Sequence, residues 1–346
     1  MPSALAKFAE NASRKNPNIP YLAADNVFAL LLHRLEMWDE EGRERIETPA
    51  VFKRYFQGRA KATRDKLDID SFVYNKYGST PNDAEIFSEF KSDGGEKSVM
   101  QAAEDLRDYL RGMKQGTVEY NDALDAFIEL HQMKQTARSR EGMKSVEENS
   151  QVIPFDSRKV QLEVGPGSNA LFLLDSFRKH DADKHFILVE NNKDMALLAQ
   201  RYAEKLGLKN VSVLHADASK DEFRSKVAEA LGAKHGGRKV DIIHAGRVLR
   251  YINLAPRGLE SFLKHCHGLL GAGGVVHIEE QEFESNNEEY ARARGAHIVK
   301  EGGKTFSAFY SLEYAAERAG FDVVKHELHT DAARGAHMRK SVLRKP

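Results

Sequence analysis

The sequence has one cysteine, Cys266, one tryptophan, Trp38, and no apolar run near the ~18 residues that a membrane span needs. A single cysteine excludes an intrachain disulfide, and a chain of 346 residues can build a core without one. The first residues, MPSALAKFAENASRKNPN, hold no apolar segment of the kind a secretion signal carries, so a cytoplasmic protein with no membrane partner is expected. Charge of one sign is lacking too. The 52 Lys+Arg residues balance 52 Asp+Glu, which gives no global drive toward nucleic acid, and no nucleic-acid partner is expected. Metal-ligand spacing is also missing. His265-Cys266-His267 is the densest cluster, but alternate residues on a helix point apart and no C-x-x-C or H-x-x-x-H companion exists, so no metal is expected.

What is present falls into two parts, as the length suggests. Residues 1–150 read as helical throughout. Phe28, Leu31, Leu32, Leu35 and Trp38 recur at helix spacing after Asp25, a candidate N-cap. Val51, Phe52, Tyr55 and Phe56 repeat the pattern after Thr48-Pro49, and Ile86, Phe87 and Phe90 do so after Thr80-Pro81, ending at Gly94-Gly95. Two longer helices are predicted over about Lys97 to Met113 and Val118 to Arg138. The polar stretch TARSREGMKSVEENSQ, 136–151, reads as the connection to a second domain, 151–346.

From Val152 the pattern becomes strand, helix, strand. Lys159 to Asn169, KVQLEVGPGSN, is a short alternating strand that stops at a glycine turn and runs into an apolar helix, Ala170 to Phe177. Phe186 to Glu190 is a continuous apolar run of the kind a strand buried on both faces shows. A helix over Lys193 to Leu206 stops at Gly207. Further strands are predicted at Val211 to Leu214, Val240 to His244, Val275 to Ile278, Phe321 to Val324 and Ser341 to Leu343. Between them lie helices at Phe223 to Leu231, at Leu259 to Leu270 ending in the GAGG of 271–274, and before Gly320. Strands alternating with helices imply parallel pairing with right-handed crossovers, hence an α/β, doubly wound, mostly parallel sheet preceded by an all-helical domain.

Four elements carry a resemblance: Glu163-x-Gly165-x-Gly167 after the first strand, Glu190 ending the second, His215-Ala216-Asp217-Ala218 after the third, and Asp241-Ile-Ile-His-Ala-Gly in the fourth. In this order and spacing residues 150–345 resemble the class I S-adenosylmethionine-dependent methyltransferases, with their Rossmann-like sheet. The resemblance implies S-adenosyl-L-methionine as cofactor. The turn at Gly165 and Gly167 would receive its amino-acid end, with Glu163 facing the ammonium. Glu190, with Asn191 beside it, would accept the ribose hydroxyls, Asp217 and the Ala218 N–H would meet the adenine, and Ala245 and Gly246 would line the sulfonium. Asn169 stands where the family often has a third glycine. Asparagine tolerates a left-handed backbone there. Gly165 replaced by a bulky residue is expected to lose the ligand while altering stability less.

The same letters also fit the dinucleotide template G-x-G-x-x-[GA], but a carboxylate at Glu163 would repel a pyrophosphate. For catalysis, the candidates projecting from the ends of the fourth and fifth strands are His244, Arg247, Tyr251, Glu279 and Glu280. His244 as base, Tyr251 as orienting phenol and Glu279 are the expected catalytic groups. The expectation is therefore a methyltransferase acting by in-line transfer to an oxygen or nitrogen of a small-molecule acceptor, whose substrate side includes Thr305 to Phe321. Its helical domain would cover the acceptor or form a homodimer. The alternatives are an NAD(P)-dependent oxidoreductase and a non-catalytic S-adenosylmethionine-binding module.

Overall fold

The structure is a computed structural model, and it describes residues 3–19, 22, 24–37, 95–138, 160–178, 184–235, 237–246, 248–252, 258–283, 298–301, 304–307, 312–331 and 336–346. The chain divides into two compact units, Met1–Val152 and Ile153–Pro346.

In the first unit, the described elements are helices α1 (Ala4–Lys15), α2 (Ala24–Met37), α3 (Gly95–Arg111) and α4 (Val118–Arg138). Ser3 caps α1 by accepting the Ala6 N–H, and Leu5, Phe8, Ala9 and Ala12 form its buried stripe. The Leu5 N–H, one of the donors a helix start leaves unpaired, is taken by Oε2 of Glu129 on α4 at 2.6 Å. Helix α1 was not singled out from the sequence, although its cap and its i, i+3, i+4, i+7 spacing were readable. Asp25, read as a cap, lies inside the first turn of α2, and Gly95, read as a helix end, begins α3. The stripes around Phe52 and Phe87 lie outside the described residues.

The second unit is built on a seven-stranded sheet in the order β3-β2-β1-β4-β5-β9-β8. Its strands are β1 (Val160–Val164), β2 (His185–Glu190), β3 (Val211–His215), β4 (Val240–Gly246), β5 (Leu270–Phe283), β8 (Asp322–Asp331) and β9 (Ala336–Arg344). β1 to β5 pair in parallel, and β9 then runs antiparallel to both β5 and β8. Strands β6 (Ile298–Glu301) and β7 (Lys304–Ser307) form a separate antiparallel pair that the sequence pattern had not shown.

Helices cover both faces of the parallel part. α5 (Ala170–Phe177) and α6 (Lys193–Lys205) lie against one face: Phe177 stacks on Phe186 of β2, and Tyr202 donates its hydroxyl to Asp175 at 2.6 Å. The other face packs Leu162, Val164, Ile243, Ala245, Val276 and Ile278 against α7 (Asp221–His235), α9 (Gly258–Leu269) and α10 (Leu312–Arg318). Each large side chain fully buried there, such as Phe223 or Phe262, contributes about 1.5–3 kcal/mol. Between α7 and α9 in the chain lies the one-turn helix α8 (Leu249–Ile252).

The GAGG segment differs from the sequence reading. It does not end a helix outside the sheet but lies within β5, where the strand advances from Leu270 to Val275 while β4 advances only from Val240 to Ile242. Glycine allows this bulge: Gly273 has φ +71, and a Cβ on Gly274 would meet the Gly271 carbonyl at 3.0 Å.

Candidate active site

The carboxyl ends of β1, β2 and β4 meet around the turn Gly165-Pro166-Gly167. Both glycines are left-handed, with φ +62 and +52, and Gly167 opens a single 3-10 turn through Asn169 that leads into α5. Asn169 itself is right-handed, with φ −69 and ψ −14, and makes no cap hydrogen bond, so the left-handed geometry expected there rests on the two glycines instead. The Gly165 N–H is held by the Val189 carbonyl at 2.8 Å. A Cβ on Gly165 would lie 2.5 Å from Cγ2 of Val248. That side of the turn is therefore filled by protein, and substitution of Gly165 strains the fold itself, contrary to the expectation of a mild effect on stability.

Glu190, at the end of β2, is buried and organises the turn. Its Oε2 accepts the Gly167 N–H at 3.0 Å and its Oε1 accepts the Asn192 N–H at 2.8 Å. Asn192 then caps α6, its Oδ1 accepting from Asp194 and Met195. Asn191 is exposed, and its carbonyl lies 3.1 Å from Nε2 of His215. The cap is Asn192 and not the neighbouring Asn191 expected at the ribose, and its sequence signal is its place just before Lys193, where the helix begins. Asp217 closes a local turn, its Oδ1 accepting from the N–H and hydroxyl of Ser219 at 2.9 and 2.7 Å. Ala218 is buried in the core.

Glu163 and His244 are register partners on β1 and β4, so both side chains project from the same face of the sheet. Nδ1 of His244 lies 2.6 Å from Oε1 of Glu163, while Oε2 of Glu163 is buried and has no hydrogen-bond partner among the described residues. Burial pulls the His244 pKa down, but the Glu163 carboxylate, by charge and by hydrogen bond, together with Glu279, overcomes it and holds the pKa above its ordinary value. His277, the partner of His244 on β5, continues the row and stacks on it with ring centroids 5.1 Å apart. Burial first, then the charges of His244, Lys340 and Lys325, pushes the His277 pKa down to about 4. Nothing in the sequence had pointed to His277.

The alternation of a strand sends the neighbouring candidates elsewhere. Ala245 points into the hydrophobic core, so only its backbone faces the strand ends, whereas Gly246 shares the face of His244. A Cβ on Gly246 would stand 3.1 Å from Cε1 of His244, which places the imidazole along the strand toward its carboxyl end. Glu279 sits 3.9 Å from Nζ of Lys340 on β9. Glu280 is buried and accepts the Leu249 N–H at 3.0 Å, fixing the start of α8, on which Tyr251 lies. The side chain of Tyr251, and Arg247 entirely, lie outside the described residues. Asp241 accepts the Val160 N–H at 2.9 Å and so ties β4 to the start of β1.

Of the histidine cluster on α9, His265 contacts Asp221 at 3.1 Å, Cys266 is buried in the core, and His267 packs edge-on against Phe321. Within Thr305 to Phe321, Leu312, Ala315, Ala316, Ala319 and Phe321 belong to the core, and Tyr314 is exposed. Among the described residues no helix is long and apolar enough to cross a membrane.

No family model matches the chain, and no curated protein matches it. Solved structures with a similar fold include an O-methyltransferase family protein from Burkholderia thailandensis, at 14% identity and a TM-score of 0.46 over 84% of this chain and 95% of that one. A SAM-dependent methyltransferase from Aquifex aeolicus is similar at 17% identity and a TM-score of 0.38, over 59% and 89%. The [4+2]-cyclase SpnF is similar at 13% identity and a TM-score of 0.43, over 62% and 82%. These are likenesses of fold.

Proposed function

We propose that this chain is a class I S-adenosylmethionine-dependent methyltransferase that passes a methyl group, by in-line transfer, to an oxygen or nitrogen of a small molecule. The observation that carries the reading is the pair of buried carboxylates flanking the glycine turn: Glu163 with its unpartnered Oε2, and Glu190 bound to the turn itself. An unpartnered buried carboxylate oxygen costs free energy until a donor reaches it, and the cofactor's ammonium is such a donor. A pyrophosphate at the same turn would face both acids. The sheet supports the same choice, because a dinucleotide fold closes with a parallel sixth strand, whereas here β9 and β8 run antiparallel.

The cofactor, when bound, supplies a methyl group on a positively charged sulfur. Gly165 and Gly167 hold its amino-acid end, Glu190 and Asn191 its ribose, Asp217 and the Ala218 N–H its adenine, and Gly246 leaves room beside the sulfur. His244, its Nδ1 fixed by Glu163, takes the acceptor's proton at Nε2. Tyr251 orients the acceptor. Glu279, paired with Lys340, acts on His244 through its charge. Residues 1–150 cover the acceptor or pair two copies of the chain, and balanced charge favours a small acceptor over nucleic acid.

The test is transfer of labelled methyl from S-adenosylmethionine to a panel of phenols, aliphatic hydroxyl compounds and amines. Labelled product supports the reading. A protein that binds S-adenosylhomocysteine yet labels nothing in the panel would instead be a binding module.

A further inference from the structure

Glu163 has one carboxylate oxygen on His244 and one buried oxygen with no partner among the described residues. The pair therefore has two ways to neutralise the buried charge. A proton on His244 is one, and a cation on Oε2 is the other. Both together would set two positive charges on a single carboxylate a few ångströms apart, where burial strengthens their repulsion. We propose that Glu163 and His244 form a proton-coupled cation seat, in which a ligand ammonium docking on Oε2 of Glu163 expels one proton from His244 and leaves the Nε2 lone pair free.

This rests on the methyltransferase reading and adds to it the acceptor class and the order of events. Nε2 makes no hydrogen bond among the described residues, and the His244 side chain is 24% exposed while that of Glu163 is 6% exposed. The imidazole is thus partly open to solvent. Among the described residues, the other charged groups acting on His244 are Glu279 from β5 and Lys340 from β9, paired with each other. His277 stacks on His244 from β5, and Lys325 of β8 acts on His277. A neutral His277 brings no second positive charge into the row.

A base that becomes ready only after the cofactor has docked serves an acceptor that must lose a proton. An amine attacks with its own lone pair, whereas a hydroxyl does not transfer its oxygen cleanly until the O–H proton leaves. The acceptor class is therefore a hydroxyl compound, with phenols foremost because of their acidity. The O–H proton moves to Nε2 of His244 as an oxygen electron pair forms the new C–O bond and the C–S bonding pair stays on sulfur, so the positive charge that His244 regains is matched by the one the sulfonium loses.

The experiment is calorimetric titration of the full chain with S-adenosylhomocysteine, in two buffers of different ionisation heat, from about pH 6 to about pH 8. The expected result is release of a proton, approaching about one per ligand on the acid side, with affinity rising up to about tenfold per pH unit there. 5′-Methylthioadenosine, which keeps the nucleoside and lacks the ammonium, should bind without release, and His244→Gln should bind S-adenosylhomocysteine without release. Binding by the parent with no proton exchange, or release that persists with 5′-methylthioadenosine, overturns the coupling. Should His244→Gln fail to fold, the contrast between the two ligands in the parent decides. Absence of any S-adenosylhomocysteine binding would overturn the methyltransferase reading itself.

Discussion

The carboxylate of Glu190 holds the Gly167 N–H at 3.0 Å, so the end of one strand fixes the turn that follows its neighbour. The acid proposed to hold the ribose is thus also a structural one. Glu190→Ala should weaken S-adenosylmethionine binding ten- to a hundredfold, from the loss of about 1.5–3 kcal/mol of charged hydrogen bonding. It should also lower unfolding stability by about 1–3 kcal/mol, because the Gly167 and Asn192 N–H groups lose a buried acceptor. Calorimetry and denaturant unfolding check the two halves. Parental affinity in a folded variant would remove Glu190 from the ribose.

Gly165 makes a prediction about packing. Gly165→Ala places a Cβ 2.5 Å from Val248 Cγ2 at a φ of +62, and should cost about 1–3 kcal/mol of stability. Val248→Ala in the same chain should recover the steric part and leave the backbone part, so the two substitutions will not add. Strict additivity in thermal unfolding would show that the contact is not the cause.

The two histidines pull stability in opposite directions with pH. His277 stays neutral in the fold down to about 4, while the unfolded chain binds a proton there from about pH 6.5. Between those values the unfolded state holds more protons, so stability falls as pH drops through the window, by about 3 kcal/mol in total. His244, with its pKa raised, contributes stability that is complete below its ordinary value and is lost as pH rises through the raised one. His277→Gln should flatten the acid limb, read from denaturant midpoints between pH 4 and about 7. An unchanged limb would place the acid sensitivity elsewhere.

Much of the second unit was legible before the fold was known. A continuous apolar run marked β2, and the helix of Ala170 to Phe177 follows its glycine turn as read. What the sequence could not show was the order of strands. Glu163 and His244 are 81 residues apart and meet only because β4 lies beside β1, and His277 joins them only because β5 comes next. Reading the GAGG segment as a helix end hid the start of β5, and ending the strand at Ile278 hid the pairing of Glu279 with Lys340 and of Glu280 with α8. Ala245 was placed at the ligand by its position in the motif, although strand alternation, taken one residue at a time, sends it into the core.

The division between Val152 and Ile153 leads to a test of the helical unit. A chain beginning near Ile153 should still bind S-adenosylhomocysteine and should lose methyl transfer, if residues 1–150 provide the acceptor side. Equilibrium binding and labelled-methyl transfer measured on the same preparation distinguish the steps. Full transfer by the shorter chain would contradict that role.

A turn flanked by two buried acids, Glu163 and Glu190, suits an ammonium and a diol and does not suit a pyrophosphate. Calorimetric titration of the full chain with S-adenosylhomocysteine and, separately, with NAD measures this directly. The account predicts saturable binding of S-adenosylhomocysteine, weakened by Glu190→Ala, and no binding of NAD. Binding of NAD with no heat from S-adenosylhomocysteine would contradict it.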